Sequence, residues 1–172
     1  MRNMAEEATA VGNRAMHSDA AVYHPAPKEV YAMVKENPYH SPQQYDHFFQ
    51  AAGFNTLIGI VKRNLNELET DNQVTSVKTE RGIRFVPLEE GYKELIDSTD
   101  RLRQLSEKCC FCNELVSLIN QNEGIGYIEL LAKLPRYNSS TMHQTILDLV
   151  ETGRLMDKER RYYTKLSKIP LK

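Results

Sequence analysis

Twice along this chain the apolar residues change period, from a spacing of three and four to simple alternation. The first spacing keeps side chains on one face of a helix and the second on one face of a strand. Ile58, Val61, Leu65 and Leu68 mark such a helix, which fades at Glu69-Thr70-Asp71-Asn72. Val74-Thr75-Ser76-Val77-Lys78 and Ile83-Arg84-Phe85-Val86-Pro87 then read as two strands, joined by Thr79-Glu80-Arg81-Gly82 with glycine where a positive φ is expected. Met142, Ile146, Leu149 and Val150 mark the second helix, which ends at Thr152-Gly153. Leu155-Met156 and Tyr162-Tyr163-Thr164 follow as a second hairpin around Asp157-Lys158-Glu159-Arg160. A helix-to-hairpin switch that occurs twice in 172 residues fits two small domains better than one.

The elements before each switch repeat the same order. Pro25-Ala26-Pro27 opens a helix with Val30, Met33 and Val34 on one side, and Asn37-Pro38 stops it. Ser41-Pro42 caps the next, about residues 43–52, with Tyr45, Phe48 and Phe49 together and Gly53 at its end. Asn55 is the expected cap of the third. A connecting helix over residues 89–108 has Tyr92, Leu95, Ile96, Leu102 and Leu105 on its apolar side. In the second half, a helix over 109–122 turns Leu115, Leu118 and Ile119 inward, and Ile125-Gly126 suits a short strand. A further helix over 127–134 stops at Pro135, and any of Asn138, Ser139, Ser140 and Thr141 could cap the last. The expected class is mainly α with small β-hairpins. The expected division is a flexible tail over 1–24, a domain over 25–88, the connecting helix, and a domain over 109–168.

Two segments carry a family likeness. One is Ile60-Val61-Lys62-Arg63-Asn64-Leu65-Asn66-Glu67-Leu68-Glu69. The other is Leu147-Asp148-Leu149-Val150-Glu151-Thr152-Gly153-Arg154-Leu155 with Glu159-Arg160-Arg161-Tyr162-Tyr163. The chain resembles the winged helix-turn-helix superfamily over residues 27–166. Its second segment looks like the recognition-helix end, glycine and basic aromatic wing of prokaryotic regulators. The link into Asn72 departs from that pattern by lacking a glycine after the helix. The resemblance implies tandem winged helix domains joined by a helix. Such domains bind duplex DNA, as transcription regulators or replication initiators, or serve as protein-interaction adaptors.

DNA binding by this fold needs polar residues on the exposed side of the third helix and cations on the wing. The formal net charge of −1 hides an uneven distribution. Residues 25–91 carry 7 basic and 9 acidic groups, whereas residues 154–172 carry 7 basic and 2 acidic. In the C-terminal domain the expected contacts are Ser139, Ser140, His143 and Gln144, with Asp148 on the same face and Arg136 and Tyr137 ahead of the helix. Gln144 can bond the N6/N7 edge of adenine. Arg154, Lys158, Arg160, Arg161 and Lys165 are the expected phosphate contacts. The N-terminal domain offers Thr56, Lys62, Arg63 and Asn66 on its helix and Arg81 and Arg84 on its wing. Leu57 and Ile60 lie off the expected core face there, which suits a protein surface. The connecting helix offers a homodimer seam.

Other chemistry finds little footing. Cys109-x-x-Cys112 has the spacing of a metal or redox pair, but no second such pair exists in the sequence. The pair therefore reads as small buried side chains, with no metal or cofactor assigned. His17, His24, His40 and His47 match no metal-binding helix pattern, and Gly124-Ile125-Gly126 is too short for a phosphate loop. No enzyme active site is expected. The first residues lack the apolar run of a secretory signal, and no segment has the length of a membrane span. Three clustered cysteines fit a reducing compartment, cytoplasm or nucleus.

Overall fold

The structure, a computed structural model, describes residues 21–89 and 99–171, apart from the side chains of 99–101. The tail expected over 1–24 falls mostly outside the described residues, as does the part of the connecting helix at 90–98. The described chain is mainly helical with small antiparallel hairpins. It divides into two compact units. Described residues 21–35 and 40–88 form the first, and residues 36–39, 89 and 99–171 form the second.

In the first unit, α1 (Pro27–Glu36) starts on a proline whose missing N–H would be unpaired there anyway. Val30 and Val34 form its buried side. Glu29 accepts the backbone N–H of Ala26 at 2.9 Å and the Tyr23 hydroxyl. Helix α2 (Pro42–Ala51) opens on a capping box, in which Ser41 Oγ accepts from Gln44 N and Gln44 Oε1 accepts from Ser41 N. Tyr45, Phe48 and Phe49 are its buried aromatics.

Helix α3 (Ile58–Thr70) begins later than its composition suggests. Leu57 occupies the N-cap without any side-chain bond, and Asn55, the expected cap, instead donates to Ala21 O at 3.4 Å. Val61, Leu65 and Leu68 are buried, and Asn64 Nδ2 bonds Pro25 O at 2.6 Å. Strands β1 (Val74–Thr79) and β2 (Gly82–Pro87) pair from Val74↔Pro87 to Thr79↔Gly82. Gly82 takes φ +106 at their turn, a backbone only glycine adopts without strain. The segment between α1 and α2 also joins this sheet, through an antiparallel bridge between His40 and Phe85.

The second unit contains α4 (Thr99–Ser106), α5 (Cys110–Gln121), β3 (Ile125–Gly126), α6 (Tyr127–Lys133), α7 (Ser139–Glu151), β4 (Met156–Lys158) and β5 (Arg161–Tyr163). Phe111, Leu115 and Ile119 of α5 are buried, as are Leu130, Met142, Ile146 and Leu149, and together they make its core. The sheet order is β3-β5-β4, all antiparallel. Asn138 is the cap of α7, its Oδ1 accepting from Thr141 N at 2.8 Å. Leu105 of α4 is fully buried, and Arg103 Nη1 reaches Gly153 O at 3.2 Å. The end of the connecting helix thus packs into this unit.

Candidate nucleic-acid interface

Helix α7 turns Thr141, Met142, Thr145, Ile146 and Leu149 inward, which fixes what it leaves outside. Ser139, Ser140 and His143 are exposed, and Gln144 and Asp148 are half-buried beside them. The His143 ring stands edge-on to Tyr127 at 6.2 Å, and the Tyr127 hydroxyl donates to Ser139 O at 2.7 Å. The first turn of α6 therefore braces the first turn of α7. Ile128, next to that brace, is 75% exposed.

Ile128, expected with Leu130 and Leu131 on the apolar side of this helix, stands outside the core instead. Each helical residue rotates by about 100°, so positions two apart point about 200° apart, and a short helix covered on one side buries only one of them. Leu130 is the buried one here and Ile128 the exposed one. Leu147, one turn beyond His143, is also exposed.

The turn ahead of α7 is tied down. Arg136 Nη2 pairs with Glu114 Oε2 at 2.6 Å, and the Tyr137 hydroxyl donates to Glu114 Oε1 at 3.1 Å. The bond to Glu114 raises the Arg136 guanidinium above its ordinary pKa. Burial and the same carboxylate push the Tyr137 phenol up. The Tyr137 ring lies 4.1 Å from Phe111, centroid to centroid. Both residues hold the turn against α5, a role that their composition did not reveal.

Arg154 requires a correction. Its Nη1 donates to Ser106 O and its Nη2 to Asn113 Oδ1, both at 2.9 Å, and desolvation lowers its pKa. It clasps α4 to α5 instead of standing out as a phosphate contact. The hairpin retains other cations. Glu159 and Arg160 form its two-residue tip, with φ of 55 and 64, and Arg160 N donates to Asp157 Oδ1 at 3.0 Å. Arg161 Nη1 bonds Gly124 O at 2.8 Å and stands 3.7 Å from Glu129, yet its side chain stays 59% exposed. Lys158 is half-buried and Lys165 exposed.

In the first unit Lys62, Arg63 and Asn66 are exposed on α3, and Arg81 is exposed at the hairpin tip. Two expected contacts are not. Arg84 is 1% exposed, because both faces of β2 are covered from Arg84 onward, whereas alternation assumed one solvated face. Thr56 is buried and donates to Asp46 Oδ1 at 2.6 Å. Burial raises the Asp46 carboxyl, with the Thr56 bond opposing, and lowers the neighbouring His47 imidazole. Leu57 is 52% exposed, as expected of an off-core residue, but Ile60 is buried. Leu57 sits outside the helix as its cap, so the two do not follow the same face.

No protein-family model, curated protein or solved structure matches this chain. Among the described residues, no helix is long and apolar enough to cross a membrane.

Proposed function

We propose that the chain is a tandem winged helix protein that binds duplex DNA. The reading rests on one repeated connection. In each unit the segment between the first two core helices pairs with the second strand of the terminal hairpin, as β3 with β5 and as His40 with Phe85. Three helices, that short strand and a hairpin make the winged arrangement, in which the third helix enters the major groove. Helix α7 would read base edges through Ser139, Ser140, His143 and Gln144. Arg160, Arg161 and Lys165 would meet phosphates, which set affinity without reading sequence. A regulator or an initiator of replication would use the same surface.

Replacing Arg160 and Arg161 by Ala tests this on a labelled duplex. The pair should weaken binding to every sequence, whereas Gln144→Ala should relax preference by about 1–3 kcal/mol at one base pair. Unchanged binding in both variants would sink the assignment. The exposure of Leu57 supports a second reading, in which the first unit docks a protein partner or a second copy. Leu57→Glu should then abolish capture of that partner while leaving helicity intact.

A further inference from the structure

Cys109 and Cys112 are buried at the start of α5, whereas Cys110 between them is exposed. Their sulfurs lie within 4.8 Å of one another. Two thiolates on one tetrahedral ion, each at about 2.3 Å, stand roughly 3.8 Å apart. The surroundings are polar for a buried position. Cys112 N–H donates to Cys109 Sγ at 3.1 Å, so a backbone amide at the positive end of a 12-residue helix points at the sulfur. The buried Asn37 Oδ1 accepts from Phe111 N at 2.9 Å and from the Cys109 thiol at 3.6 Å, the one proton that an arriving cation must displace at this sulfur.

Simple apolar packing would surround these sulfurs with hydrocarbon; here a helix N–H points at Cys109 Sγ and favours its thiolate, while Asn37 Oδ1 holds the thiol proton until metal replaces it. Amide donors and helix N-termini favour the thiolate, which is the form that binds metal. We propose that Cys109 and Cys112 are a two-thiolate grip for a thiophilic divalent ion of the zinc class. Each thiol loses its proton to solvent as its sulfur–metal bond forms. Burial then ceases to be an obstacle, because ligands of this kind load as the chain folds around the ion. An ion at this point would pin the first turn of α5, where Phe111 supports Tyr137.

The test uses the full chain refolded under reducing conditions and titrated with Co²⁺ alone. The expected result is a thiolate-to-cobalt charge-transfer band that saturates at one equivalent and vanishes on adding Zn²⁺. Cys109→Ser and Cys112→Ser should lose it and Cys110→Ser should keep it, with helicity recorded for each. Absence of the band in the unaltered chain would overturn the proposal whether or not the variants fold. So would a band that survives loss of both cysteines, or an intact Cys109–Cys112 disulfide in the reduced preparation.

Discussion

Arg154 and Arg160 carry the same charge six positions apart and have different surroundings. Arg154 satisfies Ser106 O and Asn113 and is partly desolvated, so removing it strips two acceptors of a charged donor. Arg154→Ala should cost about 2 kcal/mol of stability, measured by urea unfolding. A loss below about 0.5 kcal/mol would show that the clasp is not made in solution. Arg160 sits at a positive φ with Glu159, and such backbone costs non-glycine residues on the order of 1 kcal/mol each. The double change Glu159→Asn with Arg160→Gly supplies the residues favoured in a two-residue hairpin turn. It should raise stability by about 1 kcal/mol, even as it removes a cation from the tip. A fall in stability would mean that the two side chains hold the turn. Residue by residue, the sequence revealed which positions were charged but not what they would touch. The partners of Arg136 and Arg154, Glu114 and Asn113, lie more than twenty and forty positions away.

At the level of elements, local chemistry was legible where the signal was local. Ser41-Pro42-Gln43-Gln44 announces its capping box, and the turn at Gly82 follows from its neighbours. Four consecutive polar residues blurred the start of α7, and only the geometry selects Asn138. Asn138→Ala should cost about 1 kcal/mol, with a shift in the urea midpoint at constant slope as the readout. Ser140→Ala is the control expected to leave the midpoint unchanged. Helix α2 carries a pH dependence. His47 is lowered by desolvation, so the folded first unit binds its proton more weakly than the unfolded chain does. Stability from this group is therefore present above the unfolded value of about 6.5 and declines as pH falls below it. Asp46 is raised, so its contribution declines as pH rises through the carboxylate range, a lower window. His47→Gln should flatten the stability profile between about pH 7 and 5. An unaltered slope there would assign the dependence to another group. Strand β2 shows where pattern fails, since alternation cannot report that both faces of a strand are covered.

Across the whole molecule, the order of three helices and a hairpin could be read twice because the switch in period survives local ambiguity. Of the short pairing segments, Ile125-Gly126 was legible as a strand between two helix signals, whereas the single bridge at His40 carries no period of its own. Those segments bear most on the proposed fold. The charge distribution is also a property of the whole chain. The near-neutral total conceals a basic end, and after Arg154 is withdrawn into a structural role the exposed cations are fewer than the composition suggests. The DNA surface proposed for the second unit is accordingly modest. Titration of a labelled duplex at several salt concentrations tests that surface most directly. Binding should weaken steeply with salt, with a log–log slope near −3 to −4.5 for about three to five phosphates neutralised. Affinity that stays flat across the salt series, or no binding at the lowest salt, would contradict it.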